Sequence, residues 1–273
     1  MKFGAHVSIS GGYIGAIEKV HEIGGNALQI FSTSPRGWNF AKVDTDVVEE
    51  FKKTKKQLNV DPVYFHASYL INLANTEKGG ELSRSSLIHE LKLASMMDVR
   101  GSIVHLGSFK NNPDLNVVAS AINEILSKTP PNTLFMIENA GNKKIGKDLT
   151  EIAALIKLIN NKRVRVCLDT CHMYSAGYDI STHKNLEEFL KRFDHAIGLD
   201  RLEVIHVNDS RDPYDSGRDR HENIGQGTLT LEPFRLLLND PKTNHLPFII
   251  ETPGFDDNGP DKKNLDILKK LVV

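Results

Sequence analysis

The chain has 273 residues, and its 34 Lys plus Arg against 35 Asp plus Glu leave a formal charge of −1, so neither an acidic tail nor a basic arm is available for electrostatic binding. Hydrophobic residues at 40% and charged residues at 25% are ordinary for a folded globular protein and exclude disorder as the main state. The two cysteines, Cys167 and Cys171, exclude a disulfide framework and form no CxxC pair, so any bound metal must be held by imidazole and carboxylate.

From the N-terminus onward, short apolar runs alternate with segments of helical period. Strands are expected at 3–6, 27–31, 63–66, 102–105, 134–138, 164–169, 204–206 and 248–251. Between them lie helical patterns such as Leu149, Ile152, Ala153, Ile156 and Ile159, preceded by Asp148 and Glu151 in capping-box spacing. Asp46 and Glu49 likewise precede Phe51 and Leu58. The strand runs are almost continuously apolar, as in a parallel sheet covered on both faces. Eight strand-then-helix units predict a single (β/α)8 TIM barrel spanning 1–273 as one catalytic domain. A doubly wound open sheet is disfavoured, because the first strand runs into HVSISGG and not a G-x-G-x-x-G turn. No run approaches the roughly 18 apolar residues of a membrane span, and the start lacks the apolar stretch of a secretion signal, so a cytoplasmic location is expected.

A barrel of this kind gathers the C-terminal ends of its strands at one mouth. The expected strand ends are His6, Phe31, His66, His105, Glu138, Asp169, His206 and Glu251. Any one His or Asp at such a place would ordinarily bond a backbone group, but seven converging imidazoles and carboxylates need a cation among them. Asp169-Thr-Cys-His172 adds an imidazole just beyond one strand, and Asp219-Arg-His221 adds a pair in a polar stretch. Setting His6 aside, five histidines and four carboxylates are enough for two or three ions of zinc, manganese or iron type. Clusters of that kind hydrolyse phosphate esters, and three divalent ions would more than reverse a net charge of −1 at the mouth.

These residues sit in stretches that resemble the endonuclease IV family of metal-dependent apurinic/apyrimidinic endonucleases: GAHVSISGG (4–12), HASYLINLA (66–74), IENAG (137–141), CLDTCHMYSAGYD (167–179), HVNDS (206–210), DRHENIGQG (219–227) and ETPG (251–254). The resemblance runs nearly end to end and implies a TIM barrel with three zinc ions. It assigns His66, His105 and Glu138 to the first ion, Glu138, Asp169, His206 and Glu251 to the second, and His172, Asp219 and His221 to the third. The implied activity is hydrolysis of the phosphodiester 5′ to an abasic site in double-stranded DNA, leaving a 3′-hydroxyl and a 5′-deoxyribose phosphate, with clearing of blocked 3′ ends as a second activity. Glu138 and Glu251 become the catalytic carboxylates. Arg36 and Tyr69 become the side chains that probe the duplex and fill the gap left by the missing base. His6 falls in a family motif outside the ligand set and is expected to support it. Leu106 follows His105 where the family often has Pro, which bears on that loop and not on the ligand.

Two other classes compete. A metal-dependent sugar isomerase or epimerase uses the same barrel with one or two ions, and a DNA-binding module would need no such ligand ring. Because one chain carries every expected ligand, a monomer is sufficient.

Overall fold

The computed structural model of the chain describes residues 1–110 and 113–273. Ten strands are formed among the described residues: β1 Lys2–His6, β2 Ala27–Phe31, β3 Val63–His66, β4 Gly101–Val104, β5 Leu134–Glu138, β6 Val164–Asp169, β7 Leu202–His206, β8 Asp209–Ser210, β9 His221–Glu222 and β10 Pro247–Ile250. Eight of them close a parallel barrel in the order β1-β10-β7-β6-β5-β4-β3-β2. The fold is therefore the (β/α)8 TIM barrel expected from the alternating pattern. The remaining two, β8 and β9, form a small antiparallel ribbon over the mouth, inside what the sequence presents as a polar loop.

The α-helices in chain order are α1 Gly12–Glu22, α2 Thr45–Gln57, α3 Lys78–Met97, α4 Leu115–Ser127, α5 Leu149–Ile159, α6 Thr170–Ser175, α7 His183–Ala196, α8 Glu232–Asn239 and α9 Lys262–Lys270. Several of their starts carry side-chain caps: Asp148 accepts from Thr150 N, Thr182 from Asn185 N and Asp261 from Asn264 N. Glu151 does not complete the capping box, because it accepts from Gly146 N in the preceding loop. Helix α2 starts after Asp44, two residues earlier than the acidic pair suggests, and the Asp44 side chain makes no capping bond. Along α7 the buried Leu186, Phe189, Leu190 and Phe193 follow the helical period and face the barrel.

The core has two parts. Inside the barrel Ala27, Tyr64, Ile103, Met136, Cys167, Val204 and Ile249 fill one layer, and a larger shell lies between barrel and helices. The inner layer is apolar and forms a floor. Two residues further along each strand, inward positions become Gln29, His66, Glu138, Asp169, His206 and Glu251, so the period of two places polar side chains directly above that floor. The register pairs Asp169 with His206 and Phe31 with His66, which aligns these ends at one level. His105 and Glu251 each stand one residue past the strand that the sequence had ending on them.

Candidate metal centre

Glu138 sits at the middle of the mouth and is completely buried. Its Oε2 lies 3.1 Å from His66 Nε2 and 3.2 Å from His105 Nε2. Its Oε1 lies 3.2 Å from His206 Nδ1 and 3.3 Å from His172 Nδ1. The carboxylate thus spans two groups of imidazoles. Donor atoms of His66, His105 and Glu138 lie within 4.8 Å of one another, as do those of Glu138, Asp169, His206 and Glu251. These are the first two sets expected from the sequence.

The third set is arranged differently. His172 and Asp219 meet, with Nε2 to Oδ1 at 2.8 Å, but the donor group they form takes in His105. His221 Nε2 stands 3.7 Å from the same Asp219 oxygen and groups more closely with Asp169 and Cys171. All nine expected residues nevertheless share one mouth.

Local structure explains these placements. Asp169 ends β6 and caps α6, accepting from His172 N at 2.9 Å, which turns the His172 ring back over the barrel. A side chain at Gly141 would put its Cβ 2.2 Å from Ser175 Oγ and 3.0 Å from the His172 Cα, so the glycine of IENAG lets the following loop lie against α6. The HVNDS and GQG motifs are explained by Asp209, whose buried carboxylate accepts from the backbone N–H of Ser210, Gly225, Gly227 and Leu229 at 2.8–3.0 Å. It shapes the ribbon from which His221 projects. Asn208 ties the two sides together, donating to Asp169 Oδ2 at 2.6 Å while its Oδ1 accepts from Glu251 N at 2.7 Å.

Four carboxylates converge here, and among the described residues no lysine or arginine pairs with any of them. Burial opposes the charge on Glu138, yet His105, His206 and His172 hold its carboxyl well below the usual range. Glu251 is likewise held low against burial, by His206 and His6. Burial pushes the His105 imidazole down to about 3, so that ring is neutral and its lone pair is available. Four of the five imidazoles also have one nitrogen facing a group that can only accept. His66 Nδ1 donates to Ala67 O, His172 Nδ1 to Asn139 O and His221 Nδ1 to Glu251 O, while His206 Nε2 donates to Gln29 Oε1. Each ring then presents its other nitrogen toward the carboxylates. That is the tautomer arrangement of metal-ligating histidines. His221 Nε2 is buried with no partner among the described residues. The separations of 3.1–3.2 Å from Glu138 to His66 Nε2, His105 Nε2 and His206 Nδ1 are close to the edge, about 3.3 Å, of a tetrahedron whose ligands lie about 2.0 Å from an ion. The residues present fit a cluster of divalent ions.

Around the cluster runs a groove of about 1100 Å³, with His66, His105, His172, Asp219, His221 and Glu251 on its floor. Arg36 is exposed on the loop after β2 and lines one wall. Tyr69, on the loop after β3, is 67% exposed, and its ring rests edge-on against Phe31 at 5.3 Å between centroids. Leu70 beside it is 40% exposed, a second apolar side chain on that loop that sequence reasoning missed. A lone exposed leucine carries no signal by itself, and only its place on the mouth loop next to Tyr69 gives it one. Gln29 was also missed. Its signal is a glutamine inside the otherwise apolar strand ALQIF. No helix among the described residues is long and apolar enough to cross a membrane.

A closed barrel whose mouth holds buried imidazoles and carboxylates without cationic partners defines a metal-dependent barrel enzyme. The comparisons with known proteins agree and go further. Residues 17–271 match the family described as xylose isomerase-like TIM barrel. A protein named "Probable endonuclease 4" from a Sulfurihydrogenibium species is 37% identical, covering 100% of this chain and 99% of that one. Its namesake from Halothermothrix orenii is 36% identical over 99% and 100%. The crystal structure of endonuclease IV from Thermus thermophilus superposes with a TM-score of 0.89 at 32% identity, covering 99% of this chain and 98% of that one. A D-tagatose 3-epimerase-like protein superposes at 0.72 with 20% identity, covering 99% and 97%, which shows a common fold alone. The chain belongs to the endonuclease IV family, and it is a metal-dependent phosphodiester hydrolase of DNA repair.

Proposed function

We propose that the enzyme hydrolyses the phosphodiester immediately 5′ to an abasic site in duplex DNA, leaving a 3′-hydroxyl and a 5′-deoxyribose phosphate, and that it also clears blocked 3′ ends. The observation that carries this reading is the convergence of four carboxylates and five imidazoles, none ion-paired to a lysine or arginine among the described residues, on and beneath the floor of a groove with an exposed aromatic at its rim. His66, His105 and Glu138 would hold one ion, and Asp169, His206 and Glu251 a second that shares Glu138. His172, Asp219 and His221 would hold a third. Zinc suits this donor set best, and manganese or iron is compatible at some positions. When bound, such ions make water a nucleophile near neutral pH and offset the charge that develops on the phosphate oxygens.

The protein's own part is positional. Glu138 spans both imidazole groups through its two oxygens and so fixes their spacing. Glu251 is anchored through Oε1, which accepts from His6 Nδ1 and Gln29 Nε2, so its Oε2 would face the second ion and orient the attacking water beside it. Arg36 would contact the backbone, and Tyr69 with Leu70 would enter the gap where a base is missing, since an abasic nucleotide has already lost its stacking. One chain supplies all nine ligands, so the catalytic unit is a monomer. The test is to incubate metal-loaded protein with a duplex carrying one tetrahydrofuran abasic analogue and to map the ends. Incision 5′ to the analogue with a polymerase-extendable 3′-hydroxyl supports the reading. An uncut analogue, or a cut at intact positions, contradicts it.

A further inference from the structure

We propose that Gln29 is the positioning residue that holds His206 in its metal-donating tautomer and ties that ring to Glu251. The inference rests on the metal reading above and names a residue outside the ligand set. Gln29 lies in β2, points into the barrel and is fully buried. Its Nε2 is 2.5 Å from Glu251 Oε1 and 2.8 Å from His6 Nδ1, and its Oε1 is 2.7 Å from His206 Nε2.

The chemistry of these partners leaves one orientation for the amide. An ionised carboxylate only accepts, so the amide nitrogen must face Glu251 and the amide oxygen must face His206. An amide oxygen also only accepts, so His206 must carry its proton on Nε2. Its lone pair then lies on Nδ1, 3.2 Å from Glu138 Oε1, 3.8 Å from Asp169 Oδ2 and 3.7 Å from Glu251 Oε2. That is the centre of the second donor set. The carboxylate oxygen that accepts from the amide, Glu251 Oε1, also accepts from His6 Nδ1 at 3.0 Å, which explains the place of His6 in its motif: it shares Glu251 with the amide.

Gln29 differs from the other groups that orient ligand imidazoles. His66, His172 and His221 are each set by a backbone carbonyl, which no substitution removes. The His206 tautomer depends on a side chain. β2, three strands round the barrel from β7, therefore reaches His206 across the interior with a buried amide, where the inner layer below it is apolar, and both ends of the amide are bonded.

Gln29→Met and Gln29→Glu test this. Methionine keeps the volume and removes both bonds, whereas glutamate keeps an acceptor for His206 but loses the donor to Glu251. Zinc affinity is read by competition with a chromophoric chelator, alongside zinc content, single-turnover cleavage and binding of abasic duplex. Loss of an outer hydrogen bond to a ligand costs roughly 10–100-fold in metal affinity. Gln29→Met should lose about that factor for one ion, with slower chemistry, unchanged affinity for abasic duplex once zinc is saturating, and a melt of the metal-free protein lowered by a few degrees because two buried bonds are lost. Gln29→Glu should retain the Nε2 proton of His206. In zinc-loaded wild-type protein, ¹⁵N-resolved imidazole spectra should show His206 protonated at Nε2, a result independent of whether either variant folds. Zinc affinity in Gln29→Met equal to wild type, or a wild-type His206 protonated at Nδ1, overturns the proposal. Wild-type protein that binds no zinc at all overturns the metal reading itself, so the two failures are distinguishable.

Discussion

Removing His221 separates chemistry from folding most cleanly. The ring is 18% exposed, its one hydrogen bond among the described residues is the 3.3 Å contact from Nδ1 to Glu251 O, and its other nitrogen has no hydrogen-bond partner among them, the Asp169 and Asp219 oxygens standing 3.6 and 3.7 Å away. His221→Ala therefore gives up about one net hydrogen bond, on the order of 1 kcal/mol, and the melting temperature should fall by only a few degrees. The effect on cleavage should be much larger. If His221 helps hold the ion that neutralises the departing 3′ oxygen, its loss removes one strong electrostatic stabiliser. Single-turnover cleavage should then fall on the order of 100-fold, or about 2.7 kcal/mol. Elemental analysis of the purified variant should show about one metal fewer per chain, and abasic-duplex binding should change less than the chemical step. Rapid-quench kinetics at saturating enzyme, elemental analysis and a thermal melt on one preparation make the comparison. Full metal content with near-normal cleavage would refute the reasoning and leave His221 as a residue that only shapes its ribbon.

Tyr69→Ala removes an exposed aromatic whose stacking against bases is worth about 1–3 kcal/mol, so affinity for abasic duplex should fall tenfold or more while cleavage of bound substrate changes little; equal affinity by titration removes Tyr69 from recognition. Activity should outlast EDTA treatment for longer than a magnesium-dependent nuclease would tolerate, because cages of histidine and carboxylate release zinc slowly; immediate loss that magnesium alone restores contradicts a zinc cluster. Burial raises the carboxyl of Glu90, which accepts from Ser32 and Ser102 and has no lysine or arginine partner among the described residues, above its unfolded value. Its protonated form favours folding, so this contribution is present below about pH 4.5 and is lost as pH rises through the higher folded value. Glu90→Gln should stabilise the protein at pH 7 and flatten that pH dependence in denaturant melts, and an unchanged profile contradicts the assignment.

Much of this was legible because a parallel barrel turns strand ends into a site. The runs around His66, Glu138, Asp169 and His206 end on the residues that meet at the mouth, and their apolar continuity marks strands covered on both sides. What sequence could not resolve depends on turns. The β8–β9 ribbon is two residues per strand, too short for any period, and is organised by the Asp209 carboxylate reaching across to Gly225, Gly227 and Leu229. That ribbon sets where His221 lies, and so the third donor group is the one whose geometry departs from expectation. Gln29 escaped notice because attention to strand ends passes over an interior position, although a glutamine among Ala27, Leu28, Ile30 and Phe31 breaks the apolar pattern.

The central claim is hydrolysis at phosphorus on the 5′ side of an abasic site. Cleavage of an abasic-analogue duplex in ¹⁸O-labelled water, with mass spectrometry of both product ends, tests it most directly. Attack of water at phosphorus with departure of the 3′ oxygen should place one ¹⁸O in the 5′-phosphate and none at the 3′-hydroxyl. Label at the 3′ end, or unlabelled products with an unsaturated 3′ sugar from a natural abasic site, would contradict the account.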